Sequence, residues 1–374
     1  MVSVAHIITS LSVGGAERAL LNLLSAGLAK AHRNIVVGLG KEDTIATAIQ
    51  RAGVPVATLG INPRSPMPNA LVRLGGLIRG FRPEVIQGWM YHGNLAASAA
   101  RFLAGSNSQV FWNVRHSLYS LQYEKRQMRW MIRIGRRFSG SAGLIIYNSD
   151  VSREQHEDIG FCRDNGIVIP NGIDTRVFSP CAKARLNMRG RLRIPEDAIV
   201  VGHVARFHPM KNHFGFIRAV SALALRHPDL HVVLVGRGVQ TDNDALSRSV
   251  PTVLQSRFHL LGERHDVSDI MRSFDIFCLS SIWGEGYPNV LGEAMASGVP
   301  CVAADVGDSA AVVGDAGMIV PRNDDAALMV ALERLVYLDI SARRALGLAA
   351  RERIEENWSL ASITRRYIEL YDAA

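Results

Sequence analysis

The chain has 374 residues, 48% of them hydrophobic, with four cysteines and a formal net charge of +8, enough for two cores of about 150–200 residues each. The cysteines (Cys162, Cys181, Cys278, Cys301) show neither CxxC nor a His/Cys ligand spacing, which argues against a zinc centre or a disulfide framework and for a reducing compartment. Residues 1–180 carry 20 Lys+Arg against 11 Asp+Glu and residues 181–374 carry 22 against 23, so the excess charge lies in the first half and the halves are expected to face different partners.

The opening run MVSVAHIITSLSV lacks a basic leader and ends on Gly14-Gly15, so it is read as a strand rather than a signal peptide. No stretch approaches the roughly 20 apolar residues of a membrane span, and a cytoplasmic protein is expected. VAHIITSLSVGGAERALLNLLSAGLAKA then reads as strand, glycine turn and amphipathic helix, followed by the short apolar runs NIVVGLG, EVIQGW, QVFWNV and LIIYNS. IVIPNGIDTRVFSP (Ile167–Pro180) ends a strand in turn residues, and an arginine-rich stretch to Arg193 is read as irregular. From near Ala198, AIVVGHVARFHPMKNHFGFIRAVSALALRHP repeats the first plan with a different loop, and HVVLVG, FHLLG, IFCLS, PCVAAD and MIVP follow. SLASITRRYIELYDAA is a helix after a break at Asn357–Ser359.

Buried strands alternating with helices indicate an α/β protein with parallel sheets. Two such sets predict two Rossmann-like domains, residues 1–178 and 179–358, with the helix at about 359–374 packing back on the first. No short-period repeat is present. Ligands of open α/β sheets sit beyond the carboxyl ends of the strands, so the domains are expected to face one another across a cleft lined by post-strand loops.

Three of those loops carry chemistry. Gly14-Gly15 opens a helix at Ala16-Glu17-Arg18, where a backbone can approach an anion closely. The pattern is not GxGxxG, so a dinucleotide fingerprint is missing and an ordinary tight turn remains open. Arg206 and Lys211 flank the loop after IVVGHVA, just before a helix, and suit a diphosphate, with two solvated surface cations as the bland alternative. The stretch EGYPNVLGEAMASGVP holds Glu285 in a loop with Gly284, Gly286 and Pro288. Asn289 is read as the N-cap of a helix over Val290–Ser297, with Glu293 in its first two turns, where a carboxylate can accept both hydrogen bonds of a vicinal diol such as ribose. Either glutamate alone would be a solvated side chain; together they are a stronger signal. Asp242-Asn243-Asp244 has a DxD metal spacing but sits in a polar loop, and no metal is expected.

Taken together, Glu285–x7–Glu293, Gly14-Gly15-Ala16-Glu17, Asn171-Gly172-Ile173-Asp174, Arg206 with Lys211-Asn212, Val235-Gly236, and Leu261-Gly262 with Asp266-Val267 resemble, in order, the retaining glycosyltransferases of family 4, with the GT-B fold. The resemblance implies that Arg206 and Lys211 hold the donor's diphosphate and that Glu293 binds the ribose. It implies that Glu285 contacts the transferred sugar together with the backbone of Gly286, Tyr287, Pro288, Asn289 and Val290, and that Gly236 borders the donor. In the first domain it places Gly14 and Gly15 near the phosphates and matches His116, otherwise an ordinary polar loop residue, to a histidine at the donor sugar and reaction centre. A UDP-sugar donor, a lipid-linked or glycan acceptor in cell-surface glycan assembly and no cofactor are the corresponding expectations.

An oxocarbenium-like transition state needs positive charge at the leaving diphosphate more than it needs a nucleophile, so Glu285 and Glu293 are read as ligand-binding groups rather than the paired acids of a glycosidase. Alanine at Arg206 or Lys211 is expected to abolish transfer and leave the fold intact. A nucleotide-sugar epimerase, a glucan synthase of the same fold and a non-catalytic nucleotide-sugar-binding module are the alternatives. The chain departs from the family pattern where Gly307 is followed by Asp308-Ser309 rather than a second glycine, which leaves the sugar open.

Tyr123–Phe138 reads as a helix with Arg126, Arg129, Arg133, Arg136 and Arg137 at helical spacing beside Trp130, Met131, Ile134 and Phe138. It suits peripheral docking on the anionic inner face of the cytoplasmic membrane, with a solvated charged face as the alternative. No nucleic-acid-binding module is recognisable.

Overall fold

The computed structural model describes residues 1–374 apart from residue 13, residue 42 and residues 62–66, and apart from the side chains of residues 67 and 68. Val13, the last residue of the opening apolar run, therefore lies outside the described residues.

Strands covered on both faces by crossover helices must be apolar along their whole length rather than alternately, and the short apolar runs fold accordingly. In the first unit they form β1 (Ser3–Ile8), β2 (Arg33–Gly38), β3 (Val56–Thr58), β4 (Val85–Trp89), β5 (Gln109–Val114), β6 (Leu144–Tyr147) and β7 (Gly166–Val168). Their order is β3-β2-β1-β4-β5-β6-β7, with parallel pairing throughout. One apolar cluster covers each face, the first around Leu20, Trp89 and Tyr371 and the second around Ile7, Trp112 and Tyr147.

In the second unit β8 (Ile199–Val204), β9 (Leu230–Val235), β10 (Phe258–Leu260), β11 (Ile276–Leu279), β12 (Cys301–Ala304) and β13 (Gly317–Val320) form a sheet of order β10-β9-β8-β11-β12-β13, again parallel. Both sheets reverse direction of growth beside their first strand, between β1 and β4 and between β8 and β11. Helices diverge at that switch point and leave room for a ligand beyond the strand ends.

The units comprise residues Met1–Gly172 with Leu360–Ala374, and Ile173–Ser359. The boundary falls at Gly172 rather than at residue 178. The Ile173 amide donates to the Trp358 carbonyl at 2.8 Å, and the Ile173 side chain enters the core of the second unit. The terminal helix, Leu360–Asp372, packs on the first unit. Asn113 Nδ2 donates to the Tyr367 hydroxyl at 2.8 Å, Arg115 Nη2 donates to the same oxygen at 2.6 Å, and the Tyr371 hydroxyl donates to Gln87.

The arginine-rich stretch is a helix, Ala182–Leu192, not an irregular linker. Its inward side chain includes Arg189, 1% exposed, which donates to Asp275 Oδ2 at 2.6 Å and to the Ala198 carbonyl at 2.8 Å. Arg185 takes the other oxygen, Asp275 Oδ1, at 2.6 Å. The Val200 amide also donates to Asp275 Oδ2, at 2.7 Å, so this buried charge cluster is satisfied by hydrogen bonds as burial demands.

Several histidines are buried neutral. Burial lowers His6, His156 and His213 from the ordinary 6.5 to about 4 in each case. The unfolded chain takes up these protons below pH 6.5, whereas the folded chain does so only near pH 4, so stability is full above 6.5 and is lost as pH falls between these values. At pH 5 each such histidine should cost about 2 kcal/mol relative to pH 7.5. A urea midpoint that falls continuously from about pH 7 to 5, before most carboxylates titrate, is the expected result.

Candidate active site

The loops beyond the switch point of the second sheet form one packed unit. After β8 the chain runs through Ala205–Phe207 into a single turn, Pro209–Lys211, and then the helix His213–Ala224. Asn212 caps that helix in a left-handed conformation (φ 49°), its side chain accepting from the Gly215 amide at 3.2 Å. After β11 the chain passes Ser280–Pro288 and enters the helix Asn289–Ala296. The Ile282 amide donates to the Met210 carbonyl at 2.8 Å, and Ser280 Oγ donates to the Lys211 carbonyl at 2.8 Å. His203, on β8, lies 3.0 Å from Ser280 Oγ; burial and the neighbouring His213 and Lys211 hold its basicity far below the ordinary value.

These bonds bring Lys211 and Glu285 together. Lys211 Nζ donates to Glu285 Oε1, and Ser281 Oγ donates to the same oxygen at 2.6 Å. The lysine and glutamate side chains are only 15% and 10% exposed. Removing one partner from a pair this buried leaves the other charge uncompensated, at about 3–5 kcal/mol. Alanine at Lys211 is therefore expected to weaken the fold, contrary to the sequence-based expectation. Arg206 differs: it is exposed, and among the described residues its side chain meets only Met210 Sδ at 3.9 Å. Arg206 thus stands at the strand end without an acidic partner among the described residues.

Close backbone approach fixes the surrounding loops. At Gly236 (φ 149°) a Cβ would lie 2.0 Å from the Ala205 carbonyl oxygen, and at Gly307 (φ 62°) it would lie 2.4 Å from that of Gly286 and 2.6 Å from that of Glu285. The Asp308 amide donates to the Gly286 carbonyl at 3.0 Å. Gly307 is thus the glycine this loop requires, and the following Asp308-Ser309 replaces no backbone necessity. Ser309 Oγ instead bonds the Val306 carbonyl at 2.7 Å.

Glu293 is half-buried in the second turn of its helix, and Tyr287 and Pro288 are buried beside it. Pro288, not Asn289, stands at the N-cap, and Asn289 is the first helical residue. Pro288 is extended there (φ −79°, ψ 91°) and offers no side-chain acceptor, so this helix start carries no side-chain cap. Val290 packs against the core. The Tyr287 hydroxyl is buried with no hydrogen-bond partner among the described residues, and burial with Glu293 nearby raises its pKa. Asp242-Asn243-Asp244 is a helix start, Asn243 accepting from the Leu246 amide at 3.3 Å and Asp244 pairing with Arg248 at 3.0 Å.

In the first unit, Gly14 precedes the helix Gly15–Leu23. Glu17 folds back so that its carboxylate would lie 2.3 Å from a Gly14 Cβ, and Ser10 Oγ donates to it at 2.7 Å. Among the described residues nothing lies within 4 Å of a Cβ built on Gly15, so neither their packing nor the backbone angle requires that glycine. His116 follows β5. Its Nε2 lies 3.3 Å from Glu124 Oε1 and its Nδ1 lies 3.3 Å from the Tyr91 hydroxyl. Burial lowers its pKa and Glu124 partly opposes that. Sequence reasoning missed Tyr91, Glu124 and Ser281, which lie in unremarkable surroundings and become legible only by contact.

Residues 13–177 match the model described as Glycosyltransferase Family 4, and residues 198–337 match the model described as Glycosyl transferases group 1. The chain belongs to the family 4, group 1 glycosyltransferases. EpsF of Bacillus subtilis is 35% identical over 48% of this chain and 46% of its own length. The UDP-Gal:alpha-D-GlcNAc-diphosphoundecaprenol alpha-1,3-galactosyltransferase of Escherichia coli is 27% identical over 54% of this chain and 53% of its own length. The chain thus spans about half the length of the curated relatives it matches. HepE of Anabaena, solved in complex with UDP, superposes with a TM-score of 0.85 at 20% identity, covering 100% of both chains; this likeness shows the GT-B fold.

The two glycines should respond oppositely to a methyl group. Gly307→Ala is expected to lose about 1–3 kcal/mol through strain at positive φ, whereas Gly15→Ala should stay within about 0.5 kcal/mol of the parent. Chemical denaturation of the two variants measures both.

Proposed function

We propose that this protein is a retaining glycosyltransferase that moves a sugar from a nucleotide-diphosphate donor, a UDP-sugar, to a lipid-linked glycan acceptor in cell-surface glycan assembly. The observation that carries the reading is the juxtaposition of Arg206 with the Lys211–Glu285 pair on two loops beside the switch point of the second sheet. The nature of the family, the UDP in the HepE complex and the undecaprenol-linked acceptor in the Escherichia coli enzyme's name support it.

In this reading Arg206 and Lys211 neutralise the diphosphate as it departs, and the N-terminal turn of the helix His213–Ala224 adds its oriented amides. Glu293 accepts from the ribose hydroxyls. Glu285 holds the sugar with the backbone of Gly286–Val290, and Gly236 borders the donor. In the first unit, taken by itself, the space beside Gly15 suits a phosphate oxygen, and Gly14 and His116 lie just beyond the strand ends of that same sheet. Glu285 Oε1 already accepts from Lys211 and Ser281, which favours a binding role over that of nucleophile. Retention then follows from front-face attack. The bond from the anomeric carbon to the diphosphate breaks, the bond to the acceptor oxygen forms on the same face, and the acceptor's proton passes to the leaving phosphate. With the charge supplied by side chains, the proposed transfer calls on no metal or other cofactor.

The acceptor would be reached at the inner face of the cytoplasmic membrane. The helix Arg126–Phe138 carries Arg126, Trp130, Arg133 and Arg137 at spacings of three or four residues, hence on one stripe. All four are exposed, Trp130 by 62%. Arg129 is half-buried, and Arg136 reaches the Ile159 carbonyl at 3.4 Å. A cationic stripe bearing an exposed indole suits an anionic lipid surface. No helix among the described residues is long and apolar enough to cross a membrane.

Calorimetric titration with UDP-, GDP- and ADP-sugars, followed by assay of donor hydrolysis, tests the donor class. Arg206→Ala should weaken donor binding at least about tenfold, the worth of a lost charge-assisted contact, without altering the thermal midpoint; Glu293→Ala should weaken free UDP most. Unchanged UDP affinity in both variants refutes the assignment. For the membrane, replacing Arg126, Arg133 and Arg137 by Gln should abolish sedimentation with phosphatidylglycerol vesicles, and equal binding to phosphatidylcholine vesicles would count against an electrostatic stripe.

A further inference from the structure

The loop that carries His116 is pinned from below and from the side. Ser152 Oγ donates to the His116 carbonyl at 2.7 Å, and Gln155 Oε1 accepts from the Leu118 amide at 2.7 Å and from Ser117 Oγ at 2.9 Å. The imidazole is therefore held where its two nitrogens meet fixed partners, Tyr91 on the helix Met90–Ala104 and Glu124 before the helix Arg126–Phe138. The chain is extended at Glu124 (φ −78°, ψ 145°) and at Lys125 (φ −59°, ψ 146°). That break, which the sequence reading of one helix from Tyr123 did not foresee, delivers the carboxylate to the ring.

Proton positions follow from what each atom can do. His156 Nδ1 lies 2.6 Å from the Ser152 carbonyl, which only accepts, so Nδ1 carries the hydrogen. His156 is buried neutral, and its Nε2 is therefore a bare acceptor. The Tyr91 hydroxyl, 2.7 Å away, stays protonated because burial raises its pKa, and donates its one hydrogen there. Toward His116 the Tyr91 oxygen can then only accept. A neutral His116 with its hydrogen on Nε2 would donate to Glu124 but turn a bare Nδ1 toward the Tyr91 oxygen. With its hydrogen on Nδ1 it would donate to Tyr91 but turn a bare Nε2 toward a carboxylate. Each neutral tautomer sets two acceptors face to face at 3.3 Å. The imidazolium alone donates at both ends.

We infer that Tyr91, His156 and Glu124 are positioning residues that make His116 a proton-accepting group: the neutral ring is one hydrogen short of satisfying its surroundings, and taking up a proton completes both bonds. The groups facing the ring are Tyr91 from its helix, His156 behind Tyr91 and Glu124 from the extended segment. Burial of the ring outweighs Glu124 and holds its pKa below the ordinary value; an arriving anion would favour the charged form in the same direction as Glu124. This deepens the proposed function by giving its histidine a charge state: an anionic donor would be bound together with a proton. The proton inventory itself does not depend on that reading.

The test is a pH titration of the full chain with histidine rings labelled with ¹⁵N, using His116→Gln to assign the signals. In the parent, His116 should pass directly from a tautomer mixture to imidazolium. Glu124→Gln should lower its protonation constant about tenfold or more, because the amide stabilises a bare Nε2 and no longer pairs a cation, and Glu124→Asp should recover part of the loss. Tyr91→Phe, nearly isosteric, should collapse the mixture to the single tautomer that carries hydrogen on Nε2. An unchanged His116 titration in Glu124→Gln, or an unchanged tautomer ratio in Tyr91→Phe, overturns the inference. The UDP titrations decide the donor class separately, and a parent that binds no UDP-sugar yet shows these ring shifts would sink that reading alone.

Discussion

The candidate donor site depends on one buried ion pair. Lys211 follows β8 and Glu285 follows β11, so their contact ties the two loops that flank the switch point of the second sheet. Neither side chain is exposed enough for water to solvate it fully, and Ser281 adds a neutral donor to the same carboxylate oxygen. Such a pair fixes geometry more than it adds stability, because desolvation consumes much of the attraction. Arg206, on the same loop after β8, has no acidic partner among the described residues.

The glycines around this pair act by proximity. Gly236 and Gly307 admit backbone to backbone contact at distances no Cβ would tolerate, and both occupy positive φ, where a side chain is strained. Gly15 has neither constraint. The same contrast separates Arg189, whose every bond is internal, from Arg206.

Histidines in this chain divide by their surroundings rather than by unit. In the second unit His203 and His213 are buried as neutral packing groups beneath the loop of Lys211, their ring centroids 4.7 Å apart, and His6 and His156 of the first unit are buried neutral as well. In the first, His116 keeps one edge toward solvent and belongs to a hydrogen-bond chain that ends on a backbone carbonyl. Residue type is the same; the supply of donors and acceptors around each ring decides whether it packs or titrates.

The sequence by itself determined the α/β class, the two sheets, the post-strand segments on which His116, Arg206, Lys211 and Glu285 lie, and the helix starts that hold Gly15 and Glu293. Buried parallel strands must be apolar along their length, and loops at their ends are marked by Gly, Pro and Asn, so both signals are local. It misread the helix Ala182–Leu192, whose buried face is built on an arginine rather than on apolar residues at helical spacing; the partner, Asp275, is remote in the chain. It likewise gave Asn289 the N-cap position that Pro288 occupies without a side-chain cap bond. Only the tertiary structure decided that Lys211 is paired while Arg206 has no acidic partner among the described residues, that Gly307 sits too close to neighbouring backbone for a side chain while Gly15 does not, and that Tyr91 and Glu124 lie against His116. Each of these is a contact between segments distant in sequence, and no local pattern records which acceptor a donor will find once the sheets have formed.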